Sequence, residues 1–236
     1  MQKNLEQLTA RLEKALSDSL VSVILYGSAA SGEFHQPYSD INVLCVLRTI
    51  GPAELAAVDP VFRWWCDLGN PMPMLLTEAE VQSSTDCFPI EFHDMRDKRR
   101  VLFGADVIAS LEIDHSFYRA QVEYQLRTAF LRLRQKSAAV LHDKKLLGKL
   151  LTESVTTFLV LGRHALMLAG AAPEYNKRVT IQVLAERFGI DPAPFSTLMD
   201  LREERSGARQ VDISAVFAQY LISVRALVDA VDQLEK

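Results

Sequence analysis

The stretch from Val21 to Leu47, VSVILYGSAASGEFHQPYSDINVLCVL, constrains the fold more than any other part of the chain. Val21 to Tyr26 is short, β-branched and bounded by Gly27, which marks a buried strand. Gly27 and Ser28 open a tight turn into a short helical piece that Gly32 ends. After a polar loop, Ser39 and Asp40 lead into a second apolar run, Ile41 to Leu47. Gly27 lets the backbone approach a ligand closely, and the N–H groups after it, with the Ser28 hydroxyl, can hold phosphate oxygens. Side chains alternate along a strand, so Asp40 and Asn42 point to the same side. Oxygen ligands displayed that way suit Mg²⁺, which binds through one or two carboxylates plus substrate phosphates.

Gly27-Ser28, then Gly32, then Ser39-Asp40-x-Asn42 entering a hydrophobic strand resembles the signature of the DNA polymerase β-like nucleotidyltransferases. That signature is Gly-Ser, a later glycine and Ser-Asp-x-Asp; Asn42 replaces its second acidic residue. The resemblance implies an α+β fold with a mixed sheet flanked by helices. It also implies ATP or another nucleoside triphosphate gripped at Gly27, Ser28 and Ser39, with Mg²⁺ on Asp40 and Asn42.

The 236 residues are enough for one large domain or two modest ones, with 49% hydrophobic and 24% charged residues as in ordinary globular proteins. A net charge of −4 argues against general nucleic-acid binding, which needs a basic surface. No apolar run reaches the length of a membrane span, and the first residues are amphipathic rather than signal-like. Cys45, Cys66 and Cys87 lack metal-ligand spacing and fit small core residues in a reducing cytoplasm.

Leu5, Leu8, Leu12 and Leu16 predict a helix over 3–19 with one buried stripe. Ala53 to Asp67 reads as helical with an interruption at Asp59-Pro60, and at least one of Trp64 and Trp65 belongs to the core. Met72 to Leu76 reads as a third strand, and Thr77 with Glu80 has capping-box spacing. Phe88 to Met95 reads as a strand with Phe88, Ile90 and Phe92 on one face and Glu91 and His93 on the other. A carboxylate inside such a strand needs pairing, solvent or metal. By the family resemblance, a third carboxylate on a later strand completes the metal site or serves as base, and Glu91 is the candidate. Asp94, on the opposite face of such a strand, is the fallback, and His93 reads as a satisfied surface residue. Arg96 to Arg100 reads as a solvated turn, and Ala105 to Asp114 as a short helix ending a first domain, 1–114.

Beyond Phe117 apolar residues recur at three- and four-residue spacing, predicting helices near 116–141, 143–169, 179–188, 192–204 and 211–235. This second domain, 115–236, is an all-α bundle and resembles the carboxy-terminal domain of aminoglycoside nucleotidyltransferases. Lys149, on a helix with Lys144 and Lys145, is a candidate phosphate contact. Lys177 is another, because the resemblance places a phosphate-binding lysine there.

Together these features imply Mg²⁺-dependent transfer of a nucleoside monophosphate, most simply AMP from ATP, to a hydroxyl of a small-molecule acceptor. Self-association as a homodimer stays open. Because Asn42 brings no charge, the alternative is a catalytically weakened or inactive relative that acts as a nucleotide-binding or interaction module.

Overall fold

A computed structural model describes residues 1–31 (backbone only at Ser28 and Ser31), 41–203 and 211–234. The chain divides into two units, Met1–Phe117 and Tyr118–Lys236.

The first unit is built around β1 (Leu20–Tyr26), whose apolar residues are buried on both faces. Antiparallel neighbours flank it: β2 (Asn42–Leu47) on one side and β4 (Arg99–Gly104) on the other. β3 (Met74–Thr77) pairs parallel to β2, giving the order β3-β2-β1-β4 among the described residues. This is a mixed sheet, as the sequence implied. The buried Ser22 hydroxyl fastens β1 to the far end of β4, donating to the carbonyls of Phe103 at 3.3 Å and Ala105 at 2.7 Å.

Alternation along the strands separates two cores. Val23, Leu25, Val43 and Cys45 face α1 (Gln2–Leu16) and α3 (Pro52–Asp67). The expected stripe Leu5, Leu8, Leu12 and Leu16 is buried there, each leucine contributing ~1.5–3 kcal/mol. Ile24, Leu44 and Val46 face the other way, against Val81 of α4 (Glu78–Ser83) and Phe92 and Met95 of α5 (Pro89–Asp97). Thr77 closes the expected capping box: its hydroxyl accepts from the Glu80 N–H at 3.1 Å, and its own N–H donates to Glu80 Oε2 at 2.7 Å.

The structure corrects several expectations. Phe88 to Met95 is not a strand: Pro89 starts α5, which buries Pro89, Ile90, Phe92, His93 and Met95. Proline suits a first helical turn, where its missing N–H has no partner to lose. Arg96 to Arg100 is not a turn but the last residues of α5 and the first of β4. Ala105 to Asp114 forms turns rather than a helix, and α3 runs through Pro60 without interruption. Of the cysteines only Cys45 is buried; Cys87 is exposed. Trp65 is buried and donates from Nε1 to the Pro71 carbonyl at 3.0 Å, while the Arg11 guanidinium lies 4.2 Å over the Trp64 ring.

The second unit consists of the five expected helices among the described residues: α6 (Tyr118–Val140), α7 (Lys144–Leu168), α8 (Lys177–Phe188), α9 (Ala193–Arg202) and α10 (Ile213–Asp232). Asp143, Asn176 and Asp212 cap α7, α8 and α10 with side-chain oxygens that accept from the first free N–H groups. Contrary to the sequence expectation, α10 is long and apolar enough to cross a membrane by length and composition. Its Val216, Tyr220, Val224, Leu227 and Val231 recur at helical spacing and are buried, the pattern of a helix packed in a bundle.

Candidate active site

The last rung of the sheet gathers the candidate residues of the first unit. Tyr26 ends β1, and its Cα partners are Asn42, the first residue of β2, and Arg99, the first of β4. Tyr26 and Asn42 share parity with Ile24 and Leu44, so both lie on the α5 face and both are half-buried. Gly27 follows with φ +73°, a left-handed conformation that side chains resist, and a Cβ there would stand 3.2 Å from Asn42 Nδ2. Ser28 is then the first residue of α2 (Ser28–Ser31), and the Ala30 N–H closes the turn on the Gly27 carbonyl at 3.0 Å.

Helical α5 changes which acidic side chains meet this rung. As a strand the segment would have set Glu91 beside His93 and sent Asp94 away. As a helix it puts Glu91 and Asp94 three residues apart on one face. Both are half-buried, and both act on Tyr26. Burial pushes the Tyr26 phenol up to about 12, and the negative charges of Glu91 and Asp94 push in the same direction. His93 is buried instead of lying at the surface. Its Nδ1 is 3.2 Å from Arg96 Nη2, and its ring meets His115 edge-on at 4.9 Å between centroids.

Among the expected site residues, Gly27, Asn42 and Glu91 therefore come together at one end of the sheet. Gly32, Ser39 and Asp40 lie outside the described residues. Lys149 and Lys177 belong to the second unit. Lys149, 72% exposed at its side chain, reaches Glu153 at 3.8 Å on the same helix, and Lys177 is the first residue of α8. Two residues before Lys177, the Tyr175 ring lies 4.3 Å beneath the buried Arg163 guanidinium. Arg163 Nη2 lies 3.1 Å from His164 Nε2, whose Nδ1 is 2.7 Å from the Tyr118 hydroxyl.

Compared with solved structures, the chain is similar to spectinomycin adenyltransferase AAD(9) from Enterococcus faecialis, a structure that holds ATP and spectinomycin. The match covers 99% of this chain and 100% of that one, with a TM-score of 0.66 and 12% sequence identity. The chain has the fold of that adenyltransferase. A nucleotidyltransferase-like protein from Exiguobacterium sibiricum also matches over 95% of this chain and 74% of its own, at a TM-score of 0.38 and 12% identity. No protein-family model matches the chain, and no curated protein sequence does.

Within this fold, the sequence alone did not single out Tyr26 or Arg99, and it set Asp94 on the wrong side. A helical reading of 89–97 finds Asp94 at once, one turn from Glu91. Tyr26 is visible only through the register that pairs it with Asn42, which no local pattern encodes.

Proposed function

We propose that the chain transfers a nucleoside monophosphate, most simply AMP from ATP, to a hydroxyl of a small-molecule acceptor in a Mg²⁺-dependent reaction. The observation that carries this reading is the meeting of Gly27 and Asn42 with Glu91 and Asp94 around Tyr26 at one end of the sheet. The likeness in fold supports nucleotidyl transfer in general. The ATP and spectinomycin of the similar enzyme favour ATP as donor and a small molecule as acceptor.

In this reading Gly27 brings the following backbone N–H groups to the phosphates, and Ser28 and Ser39 add hydroxyls. Among the described residues no three His, Cys, Asp or Glu side chains form a metal cluster. Asn42, Glu91 and Asp94 nonetheless offer the hard oxygen donors that Mg²⁺ takes, and Asp40 would complete the set. Asp94 also supplies from α5 the negative charge that Asn42 does not. Bound Mg²⁺ would neutralise charge on the triphosphate. Glu91 accepts the acceptor's hydroxyl proton as that oxygen bonds to the α-phosphorus, and pyrophosphate departs with the electrons of the broken P–O bond.

Asn42 favours a second reading, nucleotide binding without turnover. Calorimetric titration of ATP with and without Mg²⁺, beside an Asp40→Ala variant and followed by a transfer assay, decides between them. Binding that requires both Mg²⁺ and Asp40, with transfer to an acceptor, supports the enzyme. The same binding with no transfer to any acceptor of an aminoglycoside panel supports the second reading. Undetectable binding of every triphosphate sinks both.

A further inference from the structure

We propose that Arg99 is a positioning residue for the transfer reaction: it clamps the last turn of α5 to the strand rung that carries Tyr26 and Asn42, and so holds Glu91 and Asp94 in place. This inference rests on the proposed function and adds to it a residue that touches neither nucleotide nor acceptor.

The chain leaves α5 at Asp97 and enters β4 at Arg99, with only Lys98 between. The Arg99 backbone is therefore fixed in the sheet, as the Cα partner of Tyr26. Its side chain turns back to the helix. Nη1 donates to the Arg96 carbonyl at 2.6 Å and the Met95 carbonyl at 3.4 Å, two of the acceptors that a helix end leaves without an internal donor. The remaining edge of the guanidinium grips Asp106: Nε donates to Oδ1 at 2.8 Å and Oδ2 at 3.0 Å, and Nη2 donates to Oδ2 at 2.9 Å. Asp106 Oδ1 also accepts from the Ile108 N–H at 3.3 Å, and Ile108 is packed with Phe92 and Met95 of α5. One planar fork thus joins strand, helix and loop. An ammonium group, with no fork, cannot reproduce that three-way geometry. The hydrogen bonds from Arg99 hold the Asp106 carboxyl below its ordinary value, as a formed clamp requires.

The pair is partly exposed, 20% at Arg99 and 35% at Asp106, so its share of global stability is small. Its effect on geometry is another matter. Asp94 sits within one turn of the clamped carbonyls and Glu91 lies one turn further back on the same helix, and displacements near 1 Å are costly to catalysis.

The test compares wild type with Arg99→Gln, Arg99→Lys and Asp106→Asn, the last breaking the same clamp from the other side. With a competent acceptor, Arg99→Gln and Asp106→Asn should lose ~10–100-fold in kcat with little change in KM for ATP. Arg99→Lys should recover only part of that loss. Amide exchange should accelerate on α5 while the β1–β2 pairing keeps its protection, a local signature that general destabilisation does not give. An active wild type whose Arg99→Gln variant keeps its kcat, or keeps α5 protected, overturns the inference alone. A wild type that transfers nothing overturns the proposed function, and the exchange data then show separately whether the clamp exists.

Discussion

Gly27 leaves room for the Asn42 side chain at the end of the sheet: a Cβ on Gly27 would lie 3.2 Å from the Asn42 amide nitrogen, and Gly27 holds φ at +73°. Gly27→Ala would have to bear the left-handed backbone and displace Asn42. We expect a loss of ~1–2 kcal/mol in urea unfolding together with weaker ATP binding by calorimetry. A variant that matches wild type in both removes Gly27 from the phosphate turn.

Asn42→Asp adds a carboxylate to the face that already carries Glu91 and Asp94. Like charges repel, so the variant should melt lower than wild type in chelator and regain stability on adding Mg²⁺. Its transfer rate should rise. If neither the Mg²⁺ dependence of melting nor the rate changes, Asn42 is no ligand.

The Tyr26 phenol, pushed up to about 12 by burial first and then by Glu91 and Asp94, predicts an alkaline signature. Its folded value lies above the ordinary 10.0, so the folded state holds the proton more tightly. The resulting stability is full below 10.0 and is lost as pH rises toward about 12. Tyr26→Phe should lack this loss in pH-dependent unfolding. Glu91→Gln and Asp94→Asn should each bring the phenol's ultraviolet titration to lower pH, and an unmoved titration separates that carboxylate from the rung.

Glu91→Gln preserves shape and removes the base. It should lower kcat by ~10²–10⁴-fold. Asp94→Asn should instead raise the Mg²⁺ concentration needed for activity more than it slows a metal-saturated reaction. The reverse pattern would exchange the two roles.

In the second unit, Tyr118→Phe deletes the 2.7 Å contact between the Tyr118 hydroxyl and His164 Nδ1, both buried. Chemical denaturation should register ~1–3 kcal/mol. An unaltered midpoint would mean that the contact adds nothing net to the bundle.

How much of this was legible beforehand depended on how far each pattern runs. The leucines of α1 and the five bundle helices repeat over several turns, and their periodicity survives local noise. β1 and β2 were legible because Gly27 bounds one and both are dense in buried apolar residues. In 88–95, Phe88, Ile90 and Phe92 alternate like a strand over too few residues to exclude a helix, and the signal that decides is Pro89 at the helix start. β4 hid behind Arg99 and Arg100, whose charges suggested a solvated turn. The Arg99–Asp106 fork that organises the following turns is a tertiary arrangement, without trace in either residue's neighbours. Gly27 and Asn42 were each legible as site residues from their motif, whereas the place of Asp94 depended on knowing that α5 is helical.

The central position of β1 carries a consequence for biosynthesis. The two carbonyls that receive the Ser22 hydroxyl belong to residues 81 and 83 positions further along the chain. During translation β1 is therefore made long before the strand that seals its second edge, and the first unit closes only when nearly all of its residues have emerged. Until then an apolar strand with an unpaired edge waits for its neighbour, which makes this nascent segment the natural point for a chaperone to intervene.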